Sequence, residues 1–125
     1  MSDTTLSAIA NQLVDCCRTQ RELEALDTLY APDAVSVEAT AEPGGERETR
    51  GREGIRGKHA WWAENFEVHG GELDGPYLHG DDRFGVIFEI DATHKPSGER
   101  HKMKEIGIYT VSNGKISREE FYYTM

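Results

Sequence analysis

The dipeptide Asn113-Gly114 lies between two segments in which apolar and polar residues alternate, and it strongly limits the possible folds of this chain. Asn-Gly is the strongest short-range signal for a two-residue β-hairpin, because both residues tolerate the positive φ angles of such a turn. Turn motifs at residues 80–82 and 95–98 divide the preceding chain in the same way. An antiparallel meander is therefore predicted. Its strands cover residues 72–79, 83–93, 99–111 and 115–124.

The residues before this meander carry helical spacing. Leu6, Ile9 and Leu13 recur every three or four residues, as on one face of a helix, and two later segments repeat the pattern. The predicted helices cover residues 6–17, 22–30 and 52–66, and the third is expected to end near His69-Gly70-Gly71. Residues 34–39 have the composition of a strand. Helices that precede the strands indicate an α+β fold.

Length and charge limit the function. The chain has 125 residues, the size of one domain of roughly 100–150 residues, so a single domain is predicted over residues 1–125. Its 14 Lys and Arg residues against 23 Asp and Glu residues give a net charge of −9, which repels nucleic acids and anionic membranes. No apolar stretch approaches the roughly 18 residues of a membrane helix, and no leader pattern opens the sequence. We expect a cytoplasmic protein that binds neither nucleic acid nor membrane.

The two central strands are expected to have two apolar faces. A two-residue turn at Ser97-Gly98 would pair Val86 with Tyr109 and Ile90 with Glu105, which gives one aromatic and aliphatic face with a single carboxylate. Apolar side chains also occupy the opposite face, at Ile87, Ile106 and Ile108. Because helices cover only one face, the second face requires another cover. A homodimer through the sheet is predicted.

Three motifs, in this order, carry a family resemblance. LYAPDAV (Leu29–Val35) leads into the first predicted strand, GREGIR (Gly51–Arg56) opens the third helix, and NGKI (Asn113–Ile116) precedes Phe121. With the order of helices and strands, they make nearly the whole chain resemble the nuclear transport factor 2-like superfamily, in its SnoaL-like branch of polyketide cyclases and ketosteroid isomerases. The resemblance implies a cone-shaped fold of three N-terminal helices packed on a curved, mainly antiparallel sheet enclosing a deep apolar pocket. It also implies a sheet-to-sheet dimer, a small apolar or polycyclic ligand and no cofactor.

The resemblance also implies where chemistry could occur. Glu38 falls on the position of the catalytic base of the ketosteroid isomerases. Val14 lies where those enzymes have a tyrosine donor, and Gly107 lies near their second donor, a protonated aspartate. An oxyanion hole depends on such donors. A classical 3-oxosteroid isomerase is therefore disfavoured.

Three residues are candidates for acid–base catalysis, each with a structural alternative. Glu38 is either a base with a pKa raised by an apolar pocket or a solvated glutamate at its rim. Glu105 is either a carboxyl that remains protonated and replaces the missing donor, or a partner for an arginine. His59 shares the apolar face of the third helix, where a histidine serves either proton exchange or packing.

The remaining candidates are expected to contact the ligand. They are Trp62, Phe66, Phe84, Val86, Phe88, Met103, Tyr109, Glu119 and Tyr123. The last two depend on register, because a tight turn with Ser112 opposite Lys115 would instead direct Glu120 and Tyr122 inward. The sequence lacks the HxH, HExxH and CxxC spacings, so no metal site is predicted.

Two functions follow from these residues. The first is an isomerase-like or cyclase-like enzyme that binds a small, mostly apolar ligand and uses acid–base chemistry without a cofactor. The second is a non-catalytic domain for ligand binding or protein association. The sequence leaves both open and does not identify the ligand.

Overall fold

The computed structural model describes residues 5–41 and 45–124. Three helices and six strands follow one another along these residues. The helices are α1 (Leu6–Arg18), α2 (Glu22–Leu29) and α3 (Gly51–Asn65). The strands are β1 (Tyr30–Val37), β2 (Glu48–Arg50), β3 (Phe66–His79), β4 (Arg83–His94), β5 (Glu99–Ser112) and β6 (Lys115–Tyr122). None of the described helices has the length and hydrophobicity to cross a membrane.

All six strands form one curved sheet in the order β2-β1-β6-β5-β4-β3. The β1–β6 pairing is parallel and the other pairings are antiparallel. Phe84, Val86 and Tyr109 point from the sheet into a core shared with the helices, and we call this side the inner face. The α+β prediction is confirmed, and the architecture is that of a cone of helices on a curved sheet.

Apolar periodicity accounts for the position of α1. Thr5 caps the helix, its side chain accepting a hydrogen bond from the Ala8 amide at 3.2 Å. Ile9 and Leu13 are buried on the side that faces the sheet. The second helix ends at Leu29, because Tyr30 already has an extended conformation and Pro32 lies within β1.

The predicted end of the third helix near residues 69–71 is wrong. The helix ends at Asn65 and β3 begins at Phe66, so no loop separates them. Gly70 and Gly71 lie inside this strand, beside a register shift in its pairing with β4. A Cβ atom on Gly71 would lie 2.4 Å from the carbonyl oxygen of Glu89, so the glycine permits a close backbone approach rather than a turn.

The predicted pairing of β4 with β5 is displaced by two residues. Their loop contains the four residues 95–98, because His94 pairs with Glu99, and Val86 therefore lies opposite Gly107. Since side chains alternate with a period of two, this displacement leaves every residue on its predicted face. By the same displacement, His101 pairs with Ala92, whereas the predicted turn would have placed it opposite His94.

The last hairpin contains both a tight turn and a bulge. Ser112 pairs with Lys115 around Asn113 and Gly114, both of which have positive φ angles, so the predicted Asn-Gly turn is confirmed. The register then shifts between Thr110 and Val111. This shift reverses the alternation, and Glu119 faces inward opposite Tyr109.

Candidate functional site

A row of inner-face residues crosses the sheet and defines the site. Ser36 of β1 pairs with Glu119 of β6, Glu119 pairs with Tyr109 of β5, and Tyr109 pairs with Phe84 of β4. Ser36 and Glu119 are the polar residues in the buried set. The apolar core therefore gives way to polar side chains towards β1.

Glu38, two residues beyond Ser36, is held by α3 and the C-terminal segment. Its Oε1 atom lies 2.6 Å from Nζ of Lys58, and its Oε2 atom accepts a hydrogen bond from the Tyr123 hydroxyl at 3.0 Å. Lys58 also donates to Oγ of Ser36 at 2.7 Å and lies 5.7 Å from the centre of the Phe121 ring. Lys58 thus connects the third helix to the polar end of the inner face.

Glu119 is the most deeply buried acid of this group, with 4% of its surface exposed. Burial raises the pKa of Glu119, whereas hydrogen bonds from the Tyr30 and Ser36 hydroxyls and the charge of Lys58 oppose this increase. The Tyr30 carbonyl in turn accepts hydrogen bonds from the Arg52 guanidinium. Its hydrogen bonds give Glu119 a fixed position.

Glu105 differs from the other two acids because it has no hydrogen bond or ion pair with any residue in 5–41 or 45–124. Burial and, next, the charge of Glu38 raise the pKa of Glu105 to about 7, with a smaller contribution from Glu119 and against the opposing charge of Lys58. A carboxyl group with a pKa near neutrality can both release and accept a proton at physiological pH.

Aromatic rings converge between Glu105 and Tyr109, above Gly107. A Cβ atom on Gly107 would lie 3.0 Å from Tyr109, 3.2 Å from Phe121 and 3.2 Å from Phe88. Gly107, which the resemblance places near the second isomerase donor, is thus covered by rings. Val14, which the resemblance places at the first donor, is 3% exposed in the helical core.

Seven of the nine predicted ligand contacts divide into three groups. Phe84 and Val86 are fully buried within the core. Phe88, Tyr109, Glu119 and Tyr123 belong to the polar and aromatic group around Glu38 and Glu105. Met103 lines an open depression of about 490 Å³ over β3, β4 and β5.

Trp62 and Phe66 make ring contacts at the junction of α3 and β3. Their rings are stacked with centres 4.0 Å apart, and Phe66 also contacts His94 and Trp61. Trp61 is 53% exposed, so of the two tryptophans only Trp62 turns inward.

His59 lies half-buried on α3 and makes no hydrogen bond or ion pair with the described part of the chain. Burial lowers its pKa, and the opposing charge that acts most strongly on it is Glu22 of α2. Its ring is therefore neutral near pH 7. The cation that contacts Glu38 at the polar end of the inner face is Lys58, the residue before His59.

Lys58 is one of the functional residues that the sequence did not predict. It follows Ile55 by three residues and precedes Trp62 by four, so it lies on the same helical face as these apolar residues. A charged residue within an apolar stripe is rarely buried unless it is paired with an opposite charge. Tyr30 was also missed, because it marked the end of a predicted helix rather than a polar contact.

Among the described residues, no group of three or more His, Cys, Asp or Glu side chains is arranged to hold a metal ion. Glu38 and Glu119 instead contact one lysine and the hydroxyl groups of Ser36, Tyr30 and Tyr123.

The comparisons with known proteins agree with this fold. A model of the SnoaL-like domain family matches residues 4–123. A proposed SnoaL-like polyketide cyclase from Mesorhizobium loti is 41% identical over 95% of this chain and 99% of its own, with a TM-score of 0.89. The fold is the one seen in nuclear transport factor 2-like proteins. This chain belongs to the SnoaL-like family, which confirms the resemblance.

More distant structures share the fold alone. A proposed isomerase from Bacillus subtilis is 16% identical with a TM-score of 0.72, covering 90% of this chain and 88% of its own. A protein from Catenulispora acidiphila with a ketosteroid isomerase-like fold, in complex with trimethylamine, is 22% identical with a TM-score of 0.65, covering 82% and 75%. The search of curated protein sequences found no match.

Proposed function

We propose that this protein binds a small, mostly apolar molecule at the inner face of the sheet and catalyses proton transfer on it without a cofactor. Glu105 takes a proton from the ligand and returns it at a second position. The observation that carries the proposal is the Glu105 carboxyl, which has no partner among the described residues and has a pKa of about 7.

The surroundings of Glu105 support this role. An acid whose two carboxylate oxygens are already bound by neighbouring side chains is less accessible to a proton of the ligand. Glu38 is in that position, with Lys58 and Tyr123 as its partners. We therefore assign Glu38 to hold Lys58 and Tyr123 in place, and Glu105 to exchange the proton.

The aromatic rings next to Glu105 support an apolar ligand. Phe88 and Phe121 are half-buried and converge with Tyr109 above Gly107. Flat rings offer a large contact area to a planar molecule. Since Lys58 and Glu38 keep 26% and 30% of their side-chain surface exposed, the polar end of this region remains open to solvent.

The second candidate is a binding domain without catalysis. The observation in its favour is that Val14 and Gly107 offer no side-chain donor where ketosteroid isomerases have them. Binding through aromatic contacts alone would then account for the inner face.

The test begins with the natural ligand, identified by mass spectrometry of small molecules that copurify with the protein. Turnover of that ligand is then compared in Glu105→Gln, Glu38→Gln and the exposed control Glu67→Gln. Loss of a general base reduces the rate roughly a hundredfold or more. We expect this loss in Glu105→Gln and wild-type turnover in the control.

The other outcomes are equally informative. If Glu38→Gln shows the large loss while Glu105→Gln stays near wild type, Glu38 is the base and Glu105 acts as a protonated donor. If both variants bind and turn over the ligand like wild type, the acid–base mechanism is wrong. The binding domain is then preferred.

A further inference from the structure

The Asn113-Gly114 turn that joins β5 to β6 places two reactive groups next to each other. Asn113 is exposed, and the two residues have φ angles of 54° and 75°. Within residues 5–41 and 45–124, no group forms a hydrogen bond with the Asn113 side chain or with the backbone N–H of Gly114. The side-chain amide carbon of Asn113 and the backbone nitrogen that follows it are therefore free to react with each other.

The chain contains two other asparagines, and neither has these properties. The side-chain amide of Asn11 donates to a backbone carbonyl of α1 at 2.9 Å, and that of Asn65 donates to a backbone carbonyl of α3 at 2.8 Å. The residue after each of them carries a side chain, which hinders the approach of its backbone nitrogen, whereas Gly114 carries none. Asn113 therefore differs from both in its hydrogen bonding and in its neighbour.

The reaction open to this pair needs only water. The Gly114 nitrogen gives up its proton and bonds to Cγ of Asn113, while the bond from Cγ to Nδ2 breaks and ammonia leaves with that proton. The product is a succinimide ring, which water opens at one of two bonds. Breaking the new bond to Cγ gives aspartate. Breaking the bond to the main-chain carbonyl carbon gives isoaspartate, in which the backbone runs through the former side chain and is longer by one carbon.

The turn also determines where β6 lies. Ser112 pairs with Lys115 directly across it, and Nζ of Lys115 donates to the Thr28 carbonyl of α2 at 2.8 Å. A two-residue hairpin turn accepts only a narrow range of backbone angles, so an added backbone carbon does not fit it. Glu119, whose carboxylate accepts the hydrogen bond of the Tyr30 hydroxyl, follows Lys115 by four residues on the same strand.

We infer that Asn113 is a modification site at which isoaspartate forms spontaneously, and that its formation breaks the pairing of Ser112 with Lys115 and displaces β6. The modified group is the asparagine amide, and the other reactants are the Gly114 nitrogen and water. This inference goes beyond the proposed function and does not depend on it. It connects an exposed turn to the buried Glu119 carboxyl.

The first test incubates the wild-type protein in mildly alkaline buffer, because removal of the Gly114 amide proton becomes easier as the pH rises. Peptide mass spectrometry follows each asparagine by the mass increase that accompanies replacement of NH2 by OH, and electron-transfer fragmentation distinguishes isoaspartate from aspartate. We expect the Asn113 peptide to be converted, faster at higher pH, while the Asn11 and Asn65 peptides keep their mass.

A variant of the turn provides the control. Asn113→Gly removes the reacting amide and keeps a residue that adopts a positive φ angle, so its turn peptide should keep its mass. An Asn113 peptide that stays intact in wild type would overturn the inference, and so would conversion of all three asparagines at the same rate.

The second test measures the displacement of β6. Ion-exchange chromatography isolates the isoaspartate form, and Asn113→Asp supplies the same added charge on an ordinary backbone. Loss of the backbone hydrogen bonds of one strand pair corresponds to about a tenfold or larger change in a local opening equilibrium. We expect amide hydrogen exchange in β6 to accelerate by at least that factor in the isoaspartate form and to stay at the wild-type rate in Asn113→Asp.

Two results would contradict the displacement. If the isoaspartate form exchanges its β6 amides like wild type, the turn accommodates the longer backbone and β6 keeps its place. If Asn113→Asp exchanges as fast as the isoaspartate form, the added charge rather than the added carbon disturbs the strand.

Discussion

Nζ of Lys58 lies 2.6 Å from Oε1 of Glu38, so an ammonium on α3 neutralises a carboxylate just beyond the end of β1. Lys58→Met keeps the length of the side chain and leaves Glu38 with Tyr123 as its hydrogen-bond donor. Loss of a charge-assisted hydrogen bond at a partly exposed site should lower the free energy of unfolding by about 1–2 kcal/mol at neutral pH. Urea unfolding monitored by circular dichroism measures this change.

Two further variants show whether the effect belongs to the ion pair. Lys58→Arg retains the charge and should recover most of the lost stability, although Arg has a different shape. Lys102→Met removes an exposed lysine on β5 and should leave the urea midpoint unchanged. An unchanged midpoint in Lys58→Met would show that the pair adds nothing to stability.

Lys58 also illustrates why the site was only partly predictable from sequence. Spacing predicted the apolar face of α3 from Ile55 and Trp62, and the structure keeps that face. The same spacing also places Lys58 on this face. Which residue of the face contacts an acid depends on the rotation of the helix about its axis relative to β1. That rotation is set by tertiary packing, which local periodicity does not contain.

Glu105 should make stability depend on pH. Its pKa rises from an ordinary 4.5 to about 7 on folding, so the folded chain binds this proton more tightly than the unfolded chain does. Stability should therefore fall as the pH rises through this window, by up to about 3 kcal/mol for this group alone. Glu105→Gln removes the titration and should gain relative to wild type as the pH increases.

The measurement compares urea unfolding of wild type and Glu105→Gln at about pH 5 and about pH 8. The difference between the two proteins isolates Glu105, because Glu119, whose pKa is also raised, is present in both. Parallel stability profiles for the two proteins across these pH values would show that Glu105 titrates normally.

Gly107 should not tolerate a side chain. In Gly107→Ala the new methyl group would lie 3.0–3.2 Å from ring atoms of Tyr109, Phe121 and Phe88. Tyr109 has little freedom to move because it stacks on Phe84. We expect a loss of about 1–3 kcal/mol, as for other overpacked sites, with the control Gly57→Ala on α3 neutral or stabilising.

Thermal and urea unfolding of these two variants and the wild type measure this loss of stability. Wild-type stability of Gly107→Ala would mean that the rings move aside easily and do not form a rigid surface. In that case a larger ligand could also displace them.

The register of the last hairpin, between β5 and β6, also limited what the sequence could predict about the site. The Asn113-Gly114 turn correctly predicted the pairing of Ser112 with Lys115, yet that pairing alone would have directed Glu120 inward. The bulge beside Thr110 restores Glu119 to the inner face. A bulge adds one residue to one strand and leaves no clear signal in an alternating sequence. The turn could therefore be predicted, but which of Glu119 and Glu120 faces inward could not.

The outer face of the sheet, opposite the inner face, carries a row of apolar side chains. Ile106 pairs with Ile87 on one side and Tyr122 on the other, so three apolar side chains form a row across β4, β5 and β6. Ile106 is 42% exposed and Tyr122 is 54% exposed in a single chain. Apolar surface of this kind is typical of an interface, and we expect a homodimer in which two outer faces meet.

Ile106→Lys places a charge in the middle of this row and should convert the dimer to a monomer in analytical ultracentrifugation. Val68→Lys is the matched control, because Val68 is 51% exposed on the edge strand β3, away from the row, and this change should leave the dimer intact. A dimer that survives Ile106→Lys rules out this interface. A monomeric wild type rules out the homodimer itself, and the apolar row would then be solvent-exposed in the free protein.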